Sequence, residues 1–320
     1  MGRYVLKRIG QALIVLLLAY TLAFFLLSAL PSDGVAARYA DPALGLSQAE
    51  IDQIREQMGV DKPLLEQYFS TLAGLFTGDL GYSVASGTPV ADLITDAAPH
   101  TFALAATSIG LAIVVALATA YVATLPGSGP LRRAVRSLPS FMVSLPGFWI
   151  AILLLQFFSF RLGWVNVVDP SPLEGLILPT LTLAVPMAAP LMQVLIRSID
   201  EVRDQPFVQV VRARGASEAR IFWRDVLRNS LLPTITMAGL LFGELVGGAV
   251  VTETVFGRAG LGSLTVNAVS SRDMPVLLGV VLIAATAYVV INLIVDLLYP
   301  VLDVRLREAP AKTAVKENAR

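Results

Sequence analysis

The stretch VLLGVVLIAATAYVVINLIVDLLYPVL, residues 276–302, contains a single charged residue, Asp296. A membrane-spanning helix needs about 20 predominantly apolar residues, so this run is long enough to form one. Earlier runs of similar character occupy residues 9–30, 101–125, 137–160, 176–196 and 231–256. The sequence therefore predicts an all-α integral membrane protein with six transmembrane helices.

The composition agrees with this class. Of the 320 residues, 55% are hydrophobic and 15% are charged, and the mean hydropathy is +0.70. A soluble domain carries about 25% charged residues, so a water-soluble surface is excluded for a chain of this size. The formal net charge is zero, which gives no indication of a nucleic-acid partner.

Basic residues predict the orientation of the spans. Cytoplasmic loops carry an excess of Lys and Arg. The basic segments are the N-terminus, the segments after spans two and four, and the tail; they include Arg3, Lys7, Arg8, Arg132, Arg133, Arg136, Arg197, Arg203, Arg212, Arg214, Arg220, Arg305 and Arg307. Six spans place all four segments on one side, so both termini are predicted to lie in the cytoplasm of a bacterial or archaeal cell.

Four segments follow from this topology. Residues 1–30 form an N-terminal transmembrane helix, because their apolar run exceeds the roughly 7–15 residues of a signal peptide. Residues 31–97 form an external subdomain, 98–303 the membrane core and 304–320 a polar cytoplasmic tail. In the external subdomain, Ser47 and Glu50 have the spacing of a capping box, and residues 64–76 form an amphipathic helix that could lie along the membrane surface.

The third and fourth spans carry prolines, at Pro139, Pro146, Pro179, Pro186 and Pro190. Proline removes a backbone donor and kinks a helix, and membrane proteins tolerate this where neighbouring groups satisfy the freed carbonyls. Both spans are therefore predicted to be bent and packed inside protein.

The residues needed for catalysis are missing. None of the four lysines follows a glycine, so the chain has no Gly-Lys-Ser/Thr phosphate loop. There is no cysteine, and the single histidine, His100, cannot form a metal site alone. The glycines Gly260 and Gly262 are interpreted as a tight external turn. We expect no catalytic residue, no metal site and no cofactor in this chain.

Three acidic residues lie inside predicted spans, where charge is costly and often functional. They are Glu244, Glu253 and Asp296. Gly243 and Gly247 flank Glu244 with the small-xxx-small spacing that permits close helix packing. Glu253 is expected near the outer end, within reach of water, and Asp296 is expected to pair with Arg305 or the arginine-rich segment. Two readings stay open: internal pairing, or a polar pathway.

The segment 198–230 has its own helical pattern. Phe207, Val208 and Val211 form a short apolar stripe beside Arg212. Gly215 is placed to end that helix and Ser217 to begin the next. The pattern predicts a cytoplasmic helix–glycine–helix elbow. Its apolar residues either contact a partner or pack on the spans of the same chain.

The segment 207–215, FVQVVRARG, resembles the coupling motif of binding-protein-dependent ABC import permeases, in the dipeptide/oligopeptide/nickel branch. Segments along nearly the whole chain fit the same branch: 59–63, 78–81, 227–233, 253–256, 260–262, 273–276 and 292–299. The resemblance implies a type I importer (MetI-like) fold, with 98–303 as the permease core. It assigns ATPase coupling to Phe207, Val208, Val211, Arg212, Ala213, Arg214, Gly215 and Ser217.

The resemblance also implies partners. They are a second homologous permease subunit, two cytoplasmic ATPase subunits that hold ATP and magnesium, and an external solute-binding lipoprotein. Peptides are the implied cargo, with nickel chelates, glutathione and oligosaccharides as alternatives within the family. A competing class is an ion-coupled secondary transporter that uses Glu244, Glu253 or Asp296. A membrane-embedded enzyme ranks last, because no nucleophile–base pair is present.

Overall fold

The computed structural model describes residues 2–29, 34–39, 45, 47–57, 61–125, 129–168 and 170–302. The predicted tail 304–320 and Arg305 lie outside these residues. The described α-helices are, in chain order, α1 (Gly2–Ser28), α2 (Gly34–Tyr39), α3 (Gln48–Gln57), α4 (Leu64–Thr77), α5 (Val90–Thr124), α6 (Pro130–Val143), α7 (Gly147–Leu154), α8 (Glu174–Arg203), α9 (Pro206–Ala213), α10 (Glu218–Arg220), α11 (Leu227–Gly248), α12 (Val250–Val255), α13 (Leu261–Ser270) and α14 (Met274–Leu302).

Several of these helices are long and apolar enough to cross a membrane. Within the described residues, five qualify: Val5–Ser28, Val90–Thr124, Glu174–Arg203, Glu218–Gly247 and Met274–Leu298. They correspond to predicted spans one, two, four, five and six. The sixth crossing depends on how the bent pair α6 and α7 is counted.

The predicted third span, 137–160, is not a single helix. Helix α6 and the helical stretch Gly147–Arg161 meet at 101°. Pro146 adopts an extended backbone with ψ 130°, and a proline disfavours the helical conformation of the residue before it. The predicted bend is thus confirmed for this span, and the first part of the predicted run belongs to a separate amphipathic helix. Helix α8, by contrast, stays one helix through its three prolines.

Helix α5 starts well before the predicted boundary of span two. It begins at Val90, directly after Pro89, so the last residues of the predicted external segment are already helical. Asp92, Asp96 and His100 make these first turns polar, which is why hydropathy alone places the start near residue 101.

The core is built around α5 and α8, which make the most extensive helix–helix contact of the described chain. Small residues dominate the buried face of α5, among them Ala112, Ala116 and Ala120, and α8 contributes Ala184 and Ala188. Small side chains let two helix backbones approach closely, which is how helices associate in membranes. Helix α11 packs on α8 and α14, and α1 packs on α14 at the edge.

Glycines on α11 mediate the contact with α14. A Cβ at Gly239 would lie 2.6 Å from Val295, and one at Gly243 would collide with the ring of Tyr288. A Cβ at Gly247 would meet nothing within 4 Å. The glycines that pack against α14 are therefore Gly239 and Gly243, and Gly247 faces no other part of the described chain.

The predicted partner Arg305 lies outside the described residues, and within them Asp296 contacts the first helix. Its carboxylate lies 2.9 Å from Arg8 Nη1, so it joins α14 to the first helix. A sequence pattern cannot anticipate this pairing, because the two residues are far apart in the chain and are brought together only by the packing of α1 on α14.

Candidate functional site

The elbow follows α8 as predicted. Helix α9 ends near Arg214, and Gly215 has φ +82°, a left-handed conformation that glycine adopts without a Cβ clash. Ser217 begins the next helical stretch, and its side chain accepts a hydrogen bond from the Arg220 amide at 3.4 Å. The chain then continues through a π-helical turn, Ile221–Val226, into α11.

The apolar residues of the elbow point in two directions. Val208, Ile221, Phe222 and Val226 are fully buried in the core of the chain itself. Phe207 and Val210 are 37% and 50% exposed. One set of side chains thus anchors the elbow to the core, and the other set is exposed on its surface. Of the predicted apolar stripe, Val208 is the residue that is fully buried.

An ion cluster joins the two helices of the elbow. Arg212 Nε donates a hydrogen bond to Glu218 Oε1 at 2.8 Å, and Arg203 Nη1 lies 3.6 Å from the other carboxylate oxygen. The hydrogen bond and the charge of Glu218 raise the pKa of Arg212. Arg212, predicted as a coupling residue, therefore holds α9 in position, whereas Ala213 and Arg214 are exposed at its end.

A second ionic contact ties the end of α8 to α6. Both terminal nitrogens of Arg136 donate to the Asp200 carboxylate, at 2.9 and 2.8 Å. The Nε of Arg136 donates to the carbonyl oxygen of Ala123 near the end of α5. Bidentate pairs of this kind are directional as well as strong. Three helices therefore meet beside the elbow, next to a groove of about 390 Å³ that Arg136 and Asp200 help to line.

Glu253 lies at the opposite end of the bundle, on α12, after the chain breaks from α11 at Ala249. It is 0% exposed, so the expectation that water reaches it is wrong. Its carboxylate accepts hydrogen bonds from the Thr101 hydroxyl at 2.5 Å, the Gly262 amide at 2.7 Å and the Ser263 amide at 3.1 Å. These donors compensate for the lost hydration of a buried charge.

The two glycines of the predicted external turn form the wall of this site. A Cβ at Gly260 would collide with the Glu253 carboxylate, and one at Gly262 would lie 2.6 Å from Val250 Cα. The Thr101 hydroxyl also accepts from the Leu261 amide at 2.8 Å. We name this set, Thr101, Glu253 and residues 260–263, the glutamate cradle.

Arg258 borders the cradle. Its Nη1 donates to the Gly175 carbonyl at 2.6 Å. Burial lowers its pKa, and the nearby Glu253 carboxylate opposes that shift. A cavity of about 590 Å³ opens beside it, lined also by His100, Asn166 and Glu174.

A buried latch connects the segment before α5 to the start of α14. Asp273, 2% exposed, accepts hydrogen bonds from the Ser83 hydroxyl at 2.5 Å and the Ala85 amide at 3.2 Å. Neither residue was predicted as a site residue, although both lie in or beside segments that carry the family resemblance. Their contact is long-range, so no local pattern signals it.

Glu244 is exposed, in contrast to Glu253. It lies on a stripe that the rest of the described chain leaves open, together with Leu240 and Gly247 of α11 and Val251 of α12. The structure thus separates the three predicted acids: Glu253 joins Gly260 and Gly262, Asp296 pairs with Arg8, and Glu244 stands alone on the open stripe. Among the described residues, no group of three or more His, Asp or Glu side chains could hold a metal ion.

Two family models match the chain. Residues 112–308 match the binding-protein-dependent transport system inner membrane component, and residues 1–105 match the N-terminal region of such membrane components. The two matches leave only a short gap, at the middle of α5.

Curated relatives match over almost the full chain. The glutathione transport system permease protein GsiC of Pectobacterium atrosepticum is 35% identical over 310 residues, covering 96% of this chain and 99% of that protein. A Brucella abortus protein named as a peptide transport system permease is 35% identical over 315 residues, with the same coverage. GsiC of Escherichia coli K12 is 34% identical over 307 residues.

Solved structures show the same fold. Two crystal forms of the inward-facing MetNI methionine ABC transporter match with TM-scores of 0.54 and 0.56, at 18% and 19% identity, over 66% of this chain and 96% of the matched chain. The helices and the elbow thus define a multi-pass permease subunit of an ABC importer, and the predicted fold class is confirmed. The chain belongs to the family of binding-protein-dependent transport system inner membrane components. Such systems include a binding protein and an ATPase.

Proposed function

We propose that this chain forms half of the translocation pathway of an ATP-driven peptide importer. A second homologous permease subunit forms the other half, two ATPase subunits bind ATP and magnesium, and an external solute-binding lipoprotein delivers the cargo. The proposal of a peptide cargo is supported by relatives at 35% identity that are named for glutathione and peptide transport.

The elbow is the observation that carries this proposal. Helix α9 is anchored by buried Val208 and by the Arg212–Glu218 ion pair, while Phe207 and Val210 remain exposed. An aromatic residue on a rigid support is a typical anchor of a protein–protein interface. We assign this exposed face to the ATPase, whose closure would then move the end of α8 and the start of α11.

The charge distribution supports an orientation with the elbow in the cytoplasm. Arg132, Arg133, Arg136, Arg197 and Arg212 all lie in segments at the elbow end of the bundle, and cytoplasmic segments are enriched in basic residues. This orientation places both termini in the cytoplasm and the glutamate cradle outside. The open stripe of α11 around Glu244 then faces the second permease subunit or the cargo.

The test is transport by the complete assembly in proteoliposomes. Replacing both Phe207 and Val210 by alanine is expected to reduce ATP-driven uptake of a labelled di- or tripeptide about tenfold or more, since loss of an interface anchor costs over 1.4 kcal/mol. The matched control is Leu131→Ala, which removes an apolar side chain that is 68% exposed on α6. Unchanged uptake in the double variant, with normal insertion, would contradict the coupling role.

The same preparation separates the alternatives. Uptake by this chain alone, driven by a proton or sodium gradient, would support an ion-coupled secondary transporter. Retention of a nickel chelate or an oligosaccharide by the binding protein, with no competition by peptides, would leave the importer assignment intact and replace the cargo.

A further inference from the structure

Helix α4 is fastened to the first membrane span by aromatic contacts. The Tyr68 ring lies 5.3 Å from that of Tyr20 and 5.4 Å from that of Phe24. The Tyr20 hydroxyl donates to the Tyr68 carbonyl at 3.0 Å, and the hydroxyls of Thr21 and Tyr68 lie 2.8 Å apart. These contacts fix the level at which α4 crosses α1.

That level is inside the apolar part of the spans. At 1.5 Å per residue, Tyr20 lies about 12 Å inward from Ser28, the end of α1. On the other side, Leu72 and Leu75 of α4 pack in the same cluster as Leu278 and Leu282, within the first turns of α14. Because α1 and α14 cross the membrane, a helix packed against them here cannot lie wholly in water.

The surface of α4 is divided into three strips. One strip, with Tyr68, Leu72 and Leu75, faces α1 and α14. The next strip around the helix is apolar and open: Leu65, Phe69 and Phe76 are 62%, 63% and 87% exposed. The third strip carries the exposed polar residues Glu66, Ser70 and Thr77. The 3.6-residue period places the open apolar strip between the protein contact and the polar strip.

The lipid-facing surface of α1 suggests what covers the open strip. Leu18, Leu22 and Leu26 of α1 are 62%, 63% and 61% exposed on a membrane-spanning helix. The apolar strip of α4 is exposed at the depth at which α4 packs against this helix. An interfacial helix lies in this way, with its apolar face about 5–10 Å below the headgroups and its polar face towards water.

We propose that α4 is an interfacial membrane helix, with Leu65, Phe69 and Phe76 inserted among the acyl chains of the leaflet opposite the elbow. In the proposed orientation this is the outer leaflet. The helix then ties the loop that follows it, which carries the Ser83–Asp273 latch, to the membrane surface. The proposal is independent of the cargo and requires only that α1 and α14 span the bilayer.

The chain contains no cysteine, so a single cysteine introduced into it is the only labelling site of this subunit, and the transporter assembled with the cysteine-free chain gives the background of the other subunits. Nitroxide labels at neighbouring positions, Phe69→Cys against Ser70→Cys and Phe76→Cys against Thr77→Cys, are compared in the assembled transporter in lipid nanodiscs without the binding protein. Oxygen concentrates among acyl chains and a charged nickel chelate stays in water. The measured quantity is the ratio of the label's accessibility to oxygen to its accessibility to the nickel chelate. This ratio is expected to be several-fold higher at positions 69 and 76 than at positions 70 and 77.

Equal ratios within each pair, or free access of the nickel chelate to positions 69 and 76, would overturn the proposal. Nickel access that disappears when the binding protein is added would also overturn it, because the strip would then be a protein-docking surface. Phe76 is 87% exposed, so its replacement removes few internal contacts and the labelled protein should remain folded. A thermal melt of each labelled variant checks this directly.

Discussion

At the residue scale, Glu253 shows how a charge can be buried in this molecule. A carboxylate without partners would be costly in an apolar interior, but here hydroxyl and amide donors surround it. Two of these donors come from the backbone of residues 260–263, which can approach only because Gly260 and Gly262 have no side chain. The glycines and the glutamate therefore depend on each other.

Replacing Gly260 by alanine is expected to destabilise the cradle, because the new Cβ would collide with the Glu253 carboxylate. Overpacking of this kind costs about 1–3 kcal/mol. The measurement is the melting temperature of the purified subunit in detergent or nanodiscs. The control is Gly110→Ala, where a Cβ meets nothing within 4 Å. Equal melting temperatures for the two variants would show that the cradle contributes little to stability.

At the element scale, contacts between helices depend on single small residues. Gly243→Ala on α11 should loosen the contact with α14, because its Cβ would press into the Tyr288 ring. We expect a lower melting temperature, corresponding to about 1–3 kcal/mol. Gly247→Ala, one turn further along the same helix, is the matched control and should melt like the parent. A lower melting temperature for Gly247→Ala than for Gly243→Ala would contradict this packing, because α14 would then contact the other side of α11.

The elbow is the second element whose geometry rests on few residues. Glu218→Gln removes the charge that pairs with Arg203 and Arg212, and charge-assisted hydrogen bonds contribute about 1.5–3 kcal/mol. We expect α9 to become mobile, so that ATP hydrolysis by the assembled transporter continues while transport per ATP falls several-fold. The measured quantity is the ratio of peptide uptake to phosphate release.

Glu201→Gln is the control for this experiment. Glu201 pairs with Arg197 on the same helix, and both side chains are largely exposed, so the pair contributes little. A loss of coupling in Glu201→Gln equal to that in Glu218→Gln would indicate a general charge effect at this end of the bundle. It would argue against a specific role for the ion cluster of the elbow.

At the scale of the whole molecule, the orientation of the bundle can be tested with the same cysteine-free background. A cysteine at Ser86, in the segment held by the latch, should react with an impermeant maleimide added to intact spheroplasts. A cysteine at Ala219, exposed on the elbow, should react only after the membrane is opened. The opposite pattern would invert the proposed topology and exclude the elbow as an ATPase contact.

The sequence by itself determined the class of the molecule and much of its local structure. Apolar runs locate α1, α8, α11 and α14, because a membrane admits only long apolar helices with internally satisfied backbones. The elbow was predictable at Gly215 and Ser217, since helix ends depend on backbone conformation and capping over a few neighbouring residues. The Ser47–Glu50 capping box is also present as predicted.

Tertiary structure alone decided which polar residues meet. Thr101 and Glu253, Ser83 and Asp273, and Arg8 and Asp296 pair over long separations in the chain, and hydropathy carries no information about such contacts. It likewise decided that Val208 faces the core, that Glu244 stays open and that the α6–α7 pair turns by 101°. The physical reason is the same in each case. Local sequence determines where a helix forms and where it ends, whereas the packing of neighbouring helices determines which groups surround a given side chain.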